Sequence, residues 1–317
     1  MADGIFQRIV DTLPMPSLRV QRLAALAVIL TQGGISVTGA IVRVTASGLG
    51  CPTWPQCFPG SFVPVPHAEV PVVHQAVEFT NRMFTFGVVL TAVLAVLAVT
   101  RAHRRREVLV YAWLMPGSTV LQAVIGGVTV RTGLLWWTVS IHLLVSMVMV
   151  WLSVLLYVKI GESDQGTDTL VVPMPLRWFA ALTATVLSAV LVTGTLVTGA
   201  GPHAGDKSAA EPVKRLQVEI TTLVHMHSSL LVAYLSLVVG LTFALLAVRA
   251  PRAVLLRLTV LVVLVCAQGL VGTVQFYTGV PAALVAIHVA GAAACTAATA
   301  ALWASMRQRS EPQALQG

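Results

Sequence analysis

The sequence predicts an all-α polytopic membrane protein, with eight transmembrane helices arranged as two pseudo-symmetric four-helix bundles. Three observations predict it. Of 317 residues, 56% are apolar and 10% are charged, against about 25% charged in an ordinary soluble domain, and the mean hydropathy is +0.85. Eight apolar runs are each long enough to cross a bilayer core as a helix. The second half of the chain repeats the first in one register. The composition excludes a disordered chain, a disulfide-stapled secreted mini-protein and a water-soluble enzyme.

The runs fall at about 23–42, 77–100, 108–130, 136–158, 178–199, 219–248, 253–275 and 282–306. The first follows a long polar lead without a small-residue cleavage pattern, so it is expected to remain as a span. The ends of the sixth, 219–248, reach into the headgroup region. Alternate loops separate the cations. Arg8, Arg19, Arg22, Arg101, Arg104, Arg105, Arg106, Lys159, Arg177, Arg249, Arg252, Arg257, Arg307 and Arg309 share one side, fourteen in all. Arg43, Arg82, Arg131, Lys207, Lys214 and Arg215, six, share the other. The positive-inside rule then places both termini in the cytoplasm of a cell-membrane protein. The net charge of +8 is therefore a topology signal. RAHRRRE (101–107) is a short turn between spans and implies no nucleic-acid partner.

Two outer loops are long, about 43–76 and 200–218, and the first carries Cys51 and Cys57 within CPTWPQC. Outside the cytoplasm a disulfide persists, and the spacing permits loop closure, with a redox-active pair as the alternative. Two thiols alone do not make a closed metal site. Cys266 and Cys295 sit inside apolar spans and read as small core residues.

The repeat is explicit. LQAVIGGVTVRTG (121–133) aligns with AQGLVGTVQFYTG (267–279) at an ungapped offset of 146, matching Gln122 to Gln268, Gly126 to Gly272 and Gly133 to Gly279. The same offset carries His142 onto His288 and Asn81 onto His227. VTGAIVRVTASG (37–48) corresponds to VTGTLVTGAG (192–201) at a shifted offset. The domains are thus an N-terminal half, about 1–165, and a C-terminal half, about 170–317. Four spans per half give both halves the same orientation, a parallel repeat about an axis along the membrane normal.

Ionisable groups at membrane depth are functional candidates. Asn81, His142, His227 and His288 lie roughly 8–12 Å inside the outer edge, at 1.5 Å per helical residue. Histidines from facing helices at one depth hold a planar macrocycle between them, and imidazole is a common heme-iron ligand. His227 with His288 is the stronger pair. His225, two residues from His227, points in a different direction, and the offset matches it to Phe79. In the first half His74, Glu78 and Arg82 stand at i, i+4 and i+8, with Asn81 on the same face. Glu78 is placed to take or give a proton. The unequal halves predict a permanent cofactor in the second and an exchangeable ligand in the first. Arg43, Arg82 and Arg131 are candidate partners for propionates, or ordinary interfacial arginines.

GAIVRVTASGLGCPTWPQC (39–57), EFTNR (78–82), VTGAGPHAGD (197–206) and the paired late histidines resemble the heme A synthase family of the bacterial and mitochondrial type, most of all its actinobacterial branch. The resemblance runs through nearly the whole chain. It implies an oxidoreductase that converts the C8 methyl of heme O to the formyl of heme A, for terminal oxidase assembly, by successive hydroxylation and loss of water. It implies heme b as cofactor, with His227 and His288 as axial ligands of its iron. It implies heme O as substrate in the first half, with His142 as ligand, Glu78 as catalytic carboxylate, and His74, Asn81 and Arg82 around the site. Cys51 and Cys57 match the family's loop cysteine pair. Many family members have histidine where this chain has Asn81, which leaves either His74 as second ligand or a five-coordinate iron. The expected partners are membrane lipid, a heme O synthase and cytochrome oxidase assembly factors. The alternatives are a di-heme cytochrome b-type electron-transfer subunit and a proton-relaying transporter.

Overall fold

The computed structural model describes residues 2–206 and 212–310; Lys207, counted above among the outer cations, and residues 311–317 lie outside them. A short helix α1 (Ala2–Asp11) precedes eight long ones: α2 (Leu18–Val44), α3 (Val72–Arg101), α4 (Arg106–Arg131), α5 (Trp136–Ile160), α6 (Met174–Ala200), α7 (Ile220–Ala247), α8 (Arg252–Tyr277) and α9 (Ala282–Ser305). All eight are long and apolar enough to cross a membrane, and the protein is a multi-pass membrane protein. Ser17 caps α2, its hydroxyl accepting from the Val20 N–H at 3.3 Å. Proline precedes the first residue of α3, α6, α8 and α9, where its missing N–H costs no hydrogen bond.

The sequence register reappears in the turns. Gly133 and Leu134 after α4, and Gly279 and Val280 after α8, all have positive φ, as do His103 after α3 and Arg249 after α7. Each turn closes alike: Leu134 N–H reaches Thr129 O at 2.9 Å and Val280 N–H reaches Gln275 O at 2.8 Å. Left-handed residues after a helix terminus satisfy its last carbonyls, and glycine takes that conformation at least cost.

Two elements differ from the sequence reading. Residues 2–11, read as polar lead, form an amphipathic helix: Val10 is buried, Ile5 and Ile9 are exposed, and the Phe6 ring lies 5.6 Å from that of Trp113. Strand β1 (Thr167–Leu170) pairs antiparallel with β2 (Arg307–Ser310), tying the linker between the halves to the end of α9. These strands are short and polar, without the alternation that marks a strand in sequence. RAHRRRE is a clamp at this same end. Arg104 is buried and donates to Asp164 and to the Ile160 and Glu162 carbonyls, while Arg105 pairs with Glu162 at 2.5 Å.

Helices α2–α5 pack side by side around one apolar core, with Val28, Val96, Ala112, Met115 and Leu156 at its centre. Helices α6–α9 form a second group around Tyr234, Leu241, Leu245, Val254, Leu261 and Leu302. The groups meet along α2 with α9, α5 with α9 and α5 with α6. Both cores fill the end away from the histidines. In the second group α6–α7 and α8–α9 are tightly paired, but α7 and α8 touch sparingly, as do α6 and α9. Among the described residues, α8 buries none after Val265 and α9 none before Ala293. The two helix pairs are therefore loosely packed against each other near residues 227 and 288.

Candidate heme-binding site

His227 on α7 and His288 on α9 come from different helix pairs, each half-buried and close enough to interact electrostatically. The Nδ1–H of His227 donates to the Val190 carbonyl at 3.0 Å and lies 3.2 Å from Thr193 Oγ1. With the proton on Nδ1, Nε2 carries a free lone pair, the tautomer that binds a metal. The ring rests against α6 because residue 194 is glycine: a Cβ there would meet His227 Cε1 at 3.1 Å. Gly272 does the same for His288, whose Cε1 would lie 3.0 Å from an added Cβ. Gln268 Nε2 donates to the His288 carbonyl at 2.7 Å, and His288 Nδ1 is buried without a partner among the described residues. Two imidazoles from separate helix pairs, with Nε2 of His227 unprotonated, suit a site that a planar metal-bearing group completes. His225 is exposed.

In the first half His142 repeats this arrangement. Its Nδ1 lies 2.8 Å from Gln122 Oε1. Gln122 Nε2 donates to Ser146 Oγ at 2.6 Å and to the His142 carbonyl at 3.1 Å. The glutamine oxygen therefore accepts from Nδ1–H, again leaving Nε2 as a ligand atom. A Cβ at Gly126 would lie 3.5 Å from that atom. Asn81 takes the place of His227, and its Oδ1 accepts from Thr38 Oγ1 at 2.6 Å. Thr38 and Thr193 are the equivalent threonines of the two VTG segments.

His74, Glu78 and Arg82 line one face of α3 as expected, and that face meets the first outer loop. Cys51 and Cys57 form a disulfide, and both are fully buried. Glu78, 5% exposed, accepts from the Cys51 N–H at 2.7 Å with Oε2 and from Arg82 Nη2 at 2.7 Å with Oε1. Arg82 also donates to the carbonyls of Cys51, Thr53 and Gln56, at 2.8, 3.0 and 3.2 Å. His74 Nδ1 lies 3.0 Å from Ser47 Oγ. Trp54 seats on α4 at Gly127, where a Cβ would lie 2.7 Å from the ring.

The other outer arginines hold loops. Arg43 donates to the His203 carbonyl at 2.9 Å and the Thr198 carbonyl at 2.8 Å. Gly48 N–H bonds the Gly205 carbonyl at 2.7 Å, so the two outer-loop motifs are joined. Arg131 donates to the Trp54 carbonyl at 3.1 Å. Sequence reasoning missed Gln122, Gln268, Thr193 and Thr38 as orienting groups. The signal was present, because all four are repeat positions.

The family model for cytochrome oxidase assembly protein matches residues 21–206. A heme A synthase from Geobacillus thermodenitrificans is 32% identical over 98 residues, and one from Geobacillus kaustophilus strain HTA426 is 33% identical over 98 residues. In each case the aligned stretch covers 31% of this chain and 29% of the relative.

Proposed function

The chain belongs to the cytochrome oxidase assembly protein family, and from that membership and the paired histidines we propose that it acts as a heme A synthase. In this reading it oxidises the C8 methyl of heme O to a formyl group in the membrane, with both termini cytoplasmic. The observation that carries it is the pair His227 and His288, drawn from the loosely joined helix pairs α6–α7 and α8–α9 and each seated on a glycine of its neighbouring helix. The C-terminal half, about 170–317, holds a resident heme b between these two residues, and the N-terminal half, about 1–165, takes the substrate heme O on His142. When bound, the resident heme supplies reversible one-electron transfer.

The side chains have separable tasks. The Val190 carbonyl and Thr193 fix the His227 ring, and Gln122 fixes His142, so each presents Nε2 without reorganisation. Glu78 takes or gives a proton at Oε2, where the Cys51 N–H now donates, while Arg82 holds Oε1. The disulfide loop lies over this carboxylate and limits its exposure to water. Arg82 braces the same loop, so its part is positioning. Heme O arrives and heme A leaves through the membrane, which suits a heme O synthase and oxidase assembly factors as partners.

The matching Gln–Gly–His sets of the two halves favour a second reading, a di-heme cytochrome b-type electron-transfer subunit. One experiment separates them. Protein supplied with heme O is extracted and its hemes are resolved by chromatography. Hydroxymethyl and formyl hemes are expected, and are expected to fall to background in Glu78→Ala. Neither product, from protein that retains its b-type heme, contradicts the enzyme reading.

A further inference from the structure

We propose that the substrate heme is held by one protein ligand, His142, and that Asn81 presents a hydrogen-bond donor to its open face, making a site for a small diatomic ligand. The inference rests on the heme A synthase reading and concerns this chain's departure from its own repeat.

The two halves build this position alike. In the second, Thr193 on α6 lies against the Nδ1 of His227 on α7; in the first, Thr38 on α2 donates to the Oδ1 of Asn81 on α3 at 2.6 Å. The opposite ligand is equally repeated, with a glutamine amide bonded to the carbonyl of His142 in one half and of His288 in the other. The frame for two axial ligands is thus present twice, but only the second half fills both places with imidazole. A carboxamide nitrogen has no free lone pair for iron, and the carboxamide oxygen of Asn81 is engaged by Thr38. That bond leaves Nδ2, with two N–H donors, as the group free to meet a ligand. Among the described residues Asn81 Nδ2 has no acceptor.

His74 does not replace the missing imidazole. It stands seven residues before Asn81, about 10 Å along the helix at 1.5 Å per residue, and its Nδ1 is bonded to Ser47 at the outer rim. The backbone of Gly50 packs against the His74 carbonyl so closely that a Cβ would overlap it. The polarity and donors of a distal pocket decide how a heme treats diatomic ligands. An iron with one imidazole and a facing amide takes carbon monoxide or dioxygen, whereas the bis-histidine heme of the second half does not.

The test uses the full-length protein in detergent, loaded with heme O, reduced and titrated with carbon monoxide. One heme of the two is expected to form the adduct, while the His227–His288 heme keeps its low-spin bands and reports that each variant is folded. Asn81→His is expected to weaken carbon monoxide binding more than tenfold and to make both hemes low-spin. Asn81→Leu is expected to bind carbon monoxide but to move the bound C–O stretch to higher frequency, since the donor is gone. His74→Ala is expected to change neither. A wild-type second heme that is bound through His142 yet low-spin and unreactive overturns this proposal alone, as does an unchanged C–O stretch in Asn81→Leu. Protein that takes up no second heme, or keeps it in His142→Ala, overturns the reading beneath it as well.

Discussion

His227→Ala and His288→Ala are each expected to abolish the b-type absorbance of the purified protein, while His225→Ala is expected to leave it nearly intact. The contrast follows from orientation. His225 is exposed, whereas His227 is turned inward onto α6 by the Val190 carbonyl and meets that helix at Gly194. In the proposed site, loss of either imidazole would leave the iron a single protein ligand, and heme loss is expected to follow. Substitution of an orienting partner acts more mildly: Thr193→Val is expected to weaken heme retention by about 10–100-fold, the usual cost of losing a group that orients a metal ligand. Heme content per protein, measured after detergent extraction, checks all four variants. Intact spectra in both His227→Ala and His288→Ala would refute the pair.

Glu78→Gln is expected to lower formation of hydroxymethyl and formyl heme by about 10²–10⁴-fold, the range for loss of a general acid or base, without loss of the b-type absorbance. Glutamine keeps one acceptor, for the Cys51 N–H, and Arg82 retains its bonds to the carbonyls of Cys51, Thr53 and Gln56, so the disulfide loop is expected to remain seated and Cys51 and Cys57 closed to alkylation without reductant. Arg82→Ala has a different signature. It strands a buried carboxylate and frees three loop carbonyls at once. Removing one partner of a buried pair costs about 3–5 kcal/mol, so this variant loses stability and loop order together. Product assays beside thermal unfolding separate the two effects. Wild-type turnover in a folded Glu78→Gln protein would exclude the carboxylate from the chemistry.

Much of this architecture was legible in the sequence, because the membrane imposes long apolar runs and the repeat imposes a register. The offset that joins His142 to His288 also joins the left-handed turns at His103 and Arg249 and at Gly133 and Gly279. Span ends were read short where polar residues occupy a terminal turn: α2 begins at Leu18, with Arg19 and Arg22 in its first turns, and α3 begins at Val72, ahead of His74 and Gln75. Other features have no local signature. The β1–β2 ladder joins segments about 140 positions apart. Arg43 looked like an interfacial cation, yet its partners are carbonyls of Thr198 and His203, fixed only by how the two halves meet. The face of α3 was read correctly as shared by His74, Glu78 and Arg82, but periodicity does not say what covers a face, and here it is the disulfide loop.

The most direct measurement is the heme type and stoichiometry of full-length protein purified in detergent from heme-replete cells. The account requires a low-spin b-type heme near one per chain, with both axial ligands nitrogenous by electron paramagnetic resonance. A colourless preparation, or a heme whose spectrum survives simultaneous replacement of His227 and His288, would contradict it.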